Sequence, residues 1–386
     1  MIPLSVPNFE GNETKYVLDA VSQGWVSTGG TYVTKLEQSV SDFVCVDDAV
    51  ACQSGTAALH LSLIDAGVKS GDLVIAPTLT FIAAINPIRY CDADPIFIDC
   101  DDSLCIDPIK IKSFIEEECE FKSGVLMHRG SERRIRAIIV VHVFGNMADM
   151  ETIMEIADEY QLIVIEDATE ALGTRYIEGK YKGKFAGTIG DYGAYSFNGN
   201  KIITTGGGGM VVAKDRMRLE HIRYLSTQAK DDSQYYVHNE VGYNYRMTNV
   251  QAAIGVAQME ELPDFIERKN RNYELYRENI LSQNGVRLLP FVDGIVSNKW
   301  FYSLYIDNCN FTSKDMVVRL SEEGIQTRCI WDLIHKQKPY VICVHVDCEK
   351  AERFAKRVIN LPCSTNLASE DLLKVCDVIN NIIDKS

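Results

Sequence analysis

No apolar run in the 386 residues approaches the ~18 that a membrane-spanning helix needs. The opening residues, MIPLSVPNFEGNETKYV, carry neither a basic leader nor an apolar stretch, so a signal peptide is not expected and a cytoplasmic setting is. Positive charge is short as well. Lys and Arg number 39 against 54 Asp and Glu, a net charge of −15, which disfavours a reader of nucleic-acid backbones or anionic lipid. No C-x-x-C pair occurs among the 12 cysteines, and Cys45, Cys52, Cys91, Cys100, Cys105, Cys119, Cys309, Cys329, Cys343, Cys348, Cys363 and Cys376 are scattered. Buried reduced thiols are therefore expected rather than a disulfide framework, and no His/Cys cluster has the spacing of a metal site. No G-x-G-x-x-G follows the first strand-like run and no G-x-x-x-x-G-K-[ST] is present, so dinucleotide and nucleoside triphosphate fingerprints are both missing. No solenoid or propeller repeat is visible.

What is there is a chain rich enough in apolar residues, 46%, for a large core. Short apolar or β-branched runs at 49–53, 73–77, 95–98, 137–143 and 162–166 alternate with amphipathic stretches. That alternation predicts an α/β unit with a mostly parallel sheet. Helices are expected at 55–67, 149–160 and 249–261, with Asp149 and Asn249 as caps of the second and third. Strand-like runs at 191–197 and 209–213 flank a glycine-rich turn. The polar segment 119–136 reads as an excursion before a strand at 137–143 and is compatible with a hairpin. A long charged helix is expected at 264–282. A large domain over 1–262 and a smaller α+β domain over 263–386 are the expected division.

Three features carry chemistry. Asp167 closes LIVIED, which places it at the carboxyl end of a parallel strand, where open α/β sheets bind ligands. A carboxylate there needs a cationic or hydrogen-bonding partner, although a helix cap or turn is an equal reading from position alone. Lys201, in SFNGNKIITTGGGGM, sits between an apolar strand and four glycines. It suits a nucleophile whose pKa is lowered, or else a phosphate-binding or snorkelling lysine. Ser54-Gly55-Thr56-Ala57 opens a helix after the first strand, offering free N–H groups and hydroxyls to an anion, or simply a cap. Together these meet the needs of pyridoxal phosphate: a Schiff-base lysine, a carboxylate for the pyridinium nitrogen and a phosphate cradle.

The chain resembles the DegT-type sugar-nucleotide aminotransferases of pyridoxal-phosphate fold type I. The resemblance runs through GNETKYVLDAVSQGWVSTGGTYV, SGTAALHLSL, GDLVIAPTLTFIAAINPI, VHVFGNMADM, IEDATEALGT, SFNGNKIITTGGGGM and GYNYRMTNVQAAIGVAQ, and more faintly GIQTRCIWDLIH and NLPCS. It implies that Lys201 holds the cofactor and shuttles a proton, and that Asp167 keeps the pyridine nitrogen protonated. Gly55, Thr56 and Ser196 match phosphate contacts, Phe81 a ring-stacking aromatic, and Asn244 a residue reaching the cofactor phosphate of a neighbouring subunit, hence a homodimer with shared sites. Related dehydratases carry histidine at the lysine position, so lysine favours transamination. Glu170 departs from the glutamine or histidine common near the cofactor's hydroxyl, and is expected either protonated or bonded outward. Glu170, Thr169 and the CEFK excursion resemble the branch acting on 4-keto-6-deoxy sugar nucleotides for legionaminic-acid-type or bacillosamine-type sugars. Trp25, Ser27, Thr28, Arg246 and His335 match regions facing the sugar nucleotide, and Lys230, Tyr236 and His238 a loop approaching its diphosphate. The expected reaction is transfer of an amino group, from glutamate, to the C4 keto carbon of a UDP-linked 2-acetamido-2,6-dideoxy-4-hexulose. The alternatives are a GDP-linked 4-keto-6-deoxymannose, a 3-keto dTDP-sugar, or a non-catalytic sensor on the same fold.

Overall fold

The computed structural model describes residues 1–232, 234–307 and 310–385. Helices α1 (Glu13–Ser22) and α2 (Thr31–Val44) lead into strand β1 (Val50–Cys52) and helix α3 (Gly55–Asp65). Then follow β2 (Leu73–Pro77), α4 (Asn86–Tyr90), β3 (Asp94–Ile98), α5 (Pro108–Glu118), β4 (Cys119–Lys122), β5 (Val125–His128), β6 (Arg133–Val141), α6 (Met150–Tyr160) and β7 (Ile163–Asp167). After the short β8 (Arg175–Tyr176) come β9 (Tyr192–Ser196), β10 (Gly209–Ala213), α7 (Arg216–Ser226) and α8 (Asn249–Asn279). The remainder holds β11 (Val286–Leu288), β12 (Ile295–Val296), β13 (Tyr302–Ile306), α9 (Ser313–Glu322), β14 (Arg328–Cys329), α10 (Glu349–Arg357), β15 (Val358–Leu361) and α11 (Ser369–Asp384).

The main sheet has the order β1-β10-β9-β7-β6-β2-β3, parallel from β9 through β3, with β10 antiparallel to both its neighbours. Its central strands read as continuous apolar runs because both faces are covered: Val74, Ile75, Ile138, Ile139, Val164 and Ile165 have no accessible surface. The polar excursion is a hairpin, β4–β5, whose second strand pairs with the start of β6. The strand expected from 137 therefore begins four residues earlier, because hairpin pairing supplies partners for Arg133, Arg134 and Ile135.

Two expectations about α8 are corrected. Separate helices at 249–261 and 264–282 are one helix, Asn249–Asn279, running through Pro263. A proline inside a helix costs about 3 kcal/mol. Burial of Ala252, Ala253, Val256, Leu262, Phe265, Tyr273 and Tyr276 along one helix outweighs it. The cap is Thr248, which forms a capping box with Gln251. Asn249 instead ties down the loop after α1, accepting from the Tyr32 N–H at 3.0 Å and donating to the Trp25 carbonyl at 2.7 Å.

A second sheet, β11-β13-β15-β14, is built wholly from residues beyond position 262, and α8 crosses that position unbroken. The N-terminal segment lies against this second part: Ile2 exchanges backbone hydrogen bonds with Gly324 and Gln326, and the Leu4 carbonyl accepts from Cys363. The eleven described cysteines are free thiols, eight of them buried, with Cys45 exposed and Cys91 and Cys329 intermediate; Cys309 lies outside the described residues. Among the described residues no helix is long and apolar enough to cross a membrane.

Candidate active site

The parallel strands deliver their carboxyl ends to one side of the main sheet, and a cavity of about 650 Å³ opens there against the second sheet. Gly55, Thr56, Phe81, Asp167, Glu170, Ser196 and Lys201 all line it. They come from the start of α3, the segment after β2, the end of β7, the end of β9 and the turn between β9 and β10.

Part of the cavity lining is an anion cradle. Ser54 caps α3 by accepting from the Ala57 N–H at 3.0 Å, which leaves the Gly55 and Thr56 N–H groups without an acceptor among the described residues. Unpaired N–H groups at a helix N-terminus favour an anion. Thr56 and Ser196 line the same space. Close approach of backbones makes the cradle: a Cβ on Gly55 would lie 2.9 Å from Ser196 Cβ, and one on Gly209 would lie 2.5 Å from the Ser54 carbonyl carbon. Any side chain at either position would force the strand end and helix start apart. The glycine run thus serves packing of the cradle as well as a turn.

Charged side chains line the same cavity. The Asp167 carboxylate, 3% exposed, accepts from the Thr169 N–H at 3.1 Å. Burial pushes its pKa up, opposed by Thr169 and then by the charges of Lys201 and His142. Lys201 Nζ stands 3.6 Å from Glu170 Oε1 and 3.9 Å from the centre of the Trp300 ring. Burial lowers its pKa, and the two carboxylates oppose that shift. The Trp300 indole N–H donates to the Asn200 carbonyl at 2.8 Å, fixing the ring beneath the lysine turn. Glu170 Oε2 accepts from the Phe144 N–H at 2.8 Å, and Phe144 adopts a left-handed φ of +56°, a conformation that non-glycine residues rarely hold without compensation. Burial raises the Glu170 pKa to about 7. Glu170 is therefore not turned outward; it faces Lys201 inside the cavity.

This shift makes a stability prediction. Between the ordinary glutamate value of 4.5 and about 7 the folded chain retains a proton that the unfolded chain has released. Stability from this group therefore falls as pH rises through that window. Glu170→Gln is expected to raise the melting temperature relative to the parent more at pH 8 than at pH 5. A thermal-shift series across pH measures it, and a pH-independent difference would contradict the assignment.

The remaining candidates lie outside the cavity lining. Trp25, Ser27 and Thr28 are exposed on the loop between α1 and α2. Arg246 is bound to Glu37 through both Nη atoms, at 2.5 and 3.1 Å, and to the Ala51 carbonyl. His335 is buried, with Nδ1 2.6 Å from Thr78 Oγ1 and its ring stacked on His345. Asn244 is exposed and accepts from Gln228, on a stretch that also exposes Lys230, Tyr236 and His238. Conversely, Phe144, Trp300, Gln326, Arg328, Trp331 and Asn360 line the cavity without having been expected there. Phe144, Gln326, Arg328 and Trp331 fall in the motifs HVFGN and GIQTRCIW, so a signal existed; nothing marks Trp300 or Asn360 in the sequence.

A lysine facing carboxylates and a glycine-walled anion cradle, at the carboxyl ends of a doubly covered parallel sheet, meet the needs of pyridoxal phosphate. The model of the DegT/DnrJ/EryC1/StrS aminotransferase family matches residues 7–380, and the chain belongs to that family. It is 38% identical to EpsN of Bacillus subtilis over 383 residues, covering 98% of this chain and 95% of that protein. It is 36% identical to the GDP-perosamine synthase of Escherichia coli O157:H7, covering 98% of each. Among solved structures, the aminotransferase TlmJ from Streptoalloteichus hindustanus superposes with a TM-score of 0.88 at 25% identity, covering 100% of this chain and 99% of that one. Membership of that family makes the protein an aminotransferase.

Proposed function

We propose that the enzyme transfers an amino group from L-glutamate to the C4 keto carbon of UDP-linked 2-acetamido-2,6-dideoxy-4-hexulose, in the cytoplasm, for a surface glycan of legionaminic-acid or bacillosamine type. The observation that carries the amino-transfer part is the placement of Lys201 in one cavity with Asp167, Glu170 and the Gly55–Thr56 cradle, with Lys201 Nζ 3.6 Å from Glu170 Oε1. Gly55, Thr56 and Ser196 would hold the phosphate of pyridoxal phosphate, Phe81 on the cavity rim its ring, and Asp167 its pyridine nitrogen. When bound, this cofactor supplies a conjugated acceptor for the electron pair left on carbon by proton loss. Lys201 takes up and returns that proton, and its burial keeps enough of the neutral amine available to do so. Asp167 would stabilise a positive charge at the cofactor nitrogen, adding a cation to a buried carboxylate that otherwise accepts from the Thr169 N–H. Glu170 keeps Lys201 oriented and, with a pKa raised to about 7, can hold a proton beside it.

The Thr169–Glu170 pair and the β4–β5 hairpin support the acetamido-sugar branch, as does the resemblance set out above. The exposed aromatic stretch Tyr235 to Val237, with Val241 and Asn244, fits a homodimer in which Asn244 reaches the partner's cofactor phosphate. Free thiols fit the cytoplasm. A second reading has a specific observation behind it: the 36% identity to a GDP-perosamine synthase along the full length favours GDP-4-keto-6-deoxymannose as acceptor. A panel of UDP-, GDP- and dTDP-linked keto sugars with glutamate, analysed by product mass, decides between them. Amination of the UDP-acetamido sugar with the highest kcat/KM is expected. Parallel double-reciprocal lines are also expected, since one site serves donor and acceptor in turn; intersecting lines would contradict this.

A further inference from the structure

Glu170 Oε1 and the Trp300 ring flank Lys201 Nζ, at 3.6 and 3.9 Å. They come from different parts of the chain: Glu170 follows β7 of the main sheet, whereas Trp300 stands just before β13 of the second. One side chain outside the cavity lining, that of Asn298, holds both. Asn298 lies between β12 and β13 and has no accessible surface. Its Nδ2 donates to the Glu170 carbonyl at 3.1 Å and to the Leu172 carbonyl at 3.0 Å, and its Oδ1 accepts from the Trp300 N–H at 3.1 Å. The backbone is left-handed at Lys299, with φ of +48°, where the chain turns that N–H back to the carboxamide. The Asn298 N–H donates to Thr174 Oγ1 at 3.1 Å, so main chain and side chain grip the same 170–174 segment. Gly145 leaves room for the carboxamide: its φ is +90°, and a Cβ there would overlap Asn298 Oδ1. Both amide hydrogens and the amide oxygen are engaged, and two of these three bonds go to the residues beside Lys201.

We infer that Asn298 is a positioning residue for amino transfer: it sets the spacing of Glu170 and Trp300, and so the slot in which Lys201 works. Each flank has a further anchor. Glu170 Oε2 accepts from the Phe144 N–H at 2.8 Å, and the Trp300 carbonyl accepts from the buried Lys269 amine at 2.8 Å. Neither of these spans from Glu170 to Trp300; the Asn298 carboxamide does. A carboxamide suits the place because it presents two donors and one acceptor in a fixed plane. An aspartate would set an oxygen against two carbonyls, and a leucine would leave two carbonyls and an N–H unpaired in the interior. The charged groups that face Lys201 are Glu170 and Asp167. Asn298 adds no charge to them, so it acts on the lysine through spacing and the exclusion of water. Loosening the slot admits water, and hydration favours the charged form of a buried amine.

The inference rests on the reading of Lys201 as the working amine, and Lys201→Ala keeps the two separable. Cofactor-loaded parent, Asn298→Ala and Asn298→Ser are compared by steady-state kinetics and by the pH midpoint of the visible cofactor band. Expected for Asn298→Ala is a fall of about 10- to 100-fold in kcat, the scale of a misplacement of about 1 Å at the reacting groups, with KM for glutamate and for the keto sugar changed less than about threefold. The pH midpoint should rise, since water reaching the lysine nitrogen favours its charged form. Asn298→Ser, whose hydroxyl can keep part of the bonding, should fall between parent and alanine variant in both readouts. A lowered melting temperature with parental kcat and an unmoved midpoint would make Asn298 a structural residue and overturn the inference, as would a loss expressed in KM alone or the failure of both variants to fold. Retention of the visible band by Lys201→Ala would remove the lysine reading and this inference with it. Loss of the band there, beside parental behaviour of both Asn298 variants, would remove only the role of Asn298.

Discussion

Lys201→Ala is expected to reduce amino transfer by about three orders of magnitude or more, because it removes the group that moves the proton at the reacting carbon. The fold should survive. Lys201 lies in the turn between β9 and β10, its side-chain contacts among the described residues are those to Glu170 and the Trp300 ring, and burial already disfavours its charge. Absorbance provides the independent readout: the visible band of the cofactor-bound parent should be lost or shifted in the variant, with phosphate-cradle binding retained. The loss also has an electrostatic echo. Glu170 would keep the burial that raises its pKa to about 7 and lose the cation that opposes it, so its pKa should move higher still in Lys201→Ala. Amino transfer at near-parental rates in that variant would remove Lys201 from the mechanism.

Asp167→Asn is the second large effect, about 10² to 10³-fold in kcat, on the scale of deleting one preorganised electrostatic partner. The substitution is nearly isosteric, and Asn can still accept from the Thr169 N–H that now bonds Asp167 at 3.1 Å, so packing at the end of β7 should be kept. What disappears is the negative charge, and with it the means to hold a proton on the cofactor nitrogen. Burial raises the Asp167 pKa in the protein alone; a cation bound against it should restore ionisation. Cofactor affinity measured by fluorescence or absorbance titration should therefore fall along with kcat, and should do so least at low pH, where the parent carboxylate is itself protonated. A variant with parental kcat and weakened glutamate binding would place Asp167 on the donor instead.

Much of this was legible in the chain. The strands at 73–77 and 209–213 stand where apolar runs placed them, and the run at 162–166 forms a strand one residue later, at 163–167, because a strand covered on both faces must be largely apolar. Asp167 and the Gly55 turn stand at strand ends because polar residues and glycines interrupt those runs. The continuity of α8 was not legible, since Pro263 is a local break signal and the burial that overrides it comes from distant helices. The place of Arg246 was equally hidden: its carboxylate partner, Glu37, lies 209 positions away.

The sequence by itself determined the alternation of strands and helices, the lysine, the aspartate and the glycine cradle, since each is written in the spacing and chemistry of neighbouring residues. Only the tertiary structure decided that Glu170 turns inward to Lys201, that Trp300 lies beneath that lysine and that Arg328 lines the cavity. The physical reason is that a side chain's partners, and so its charge state and freedom to bind, depend on groups brought close through space, across separations that no local pattern encodes.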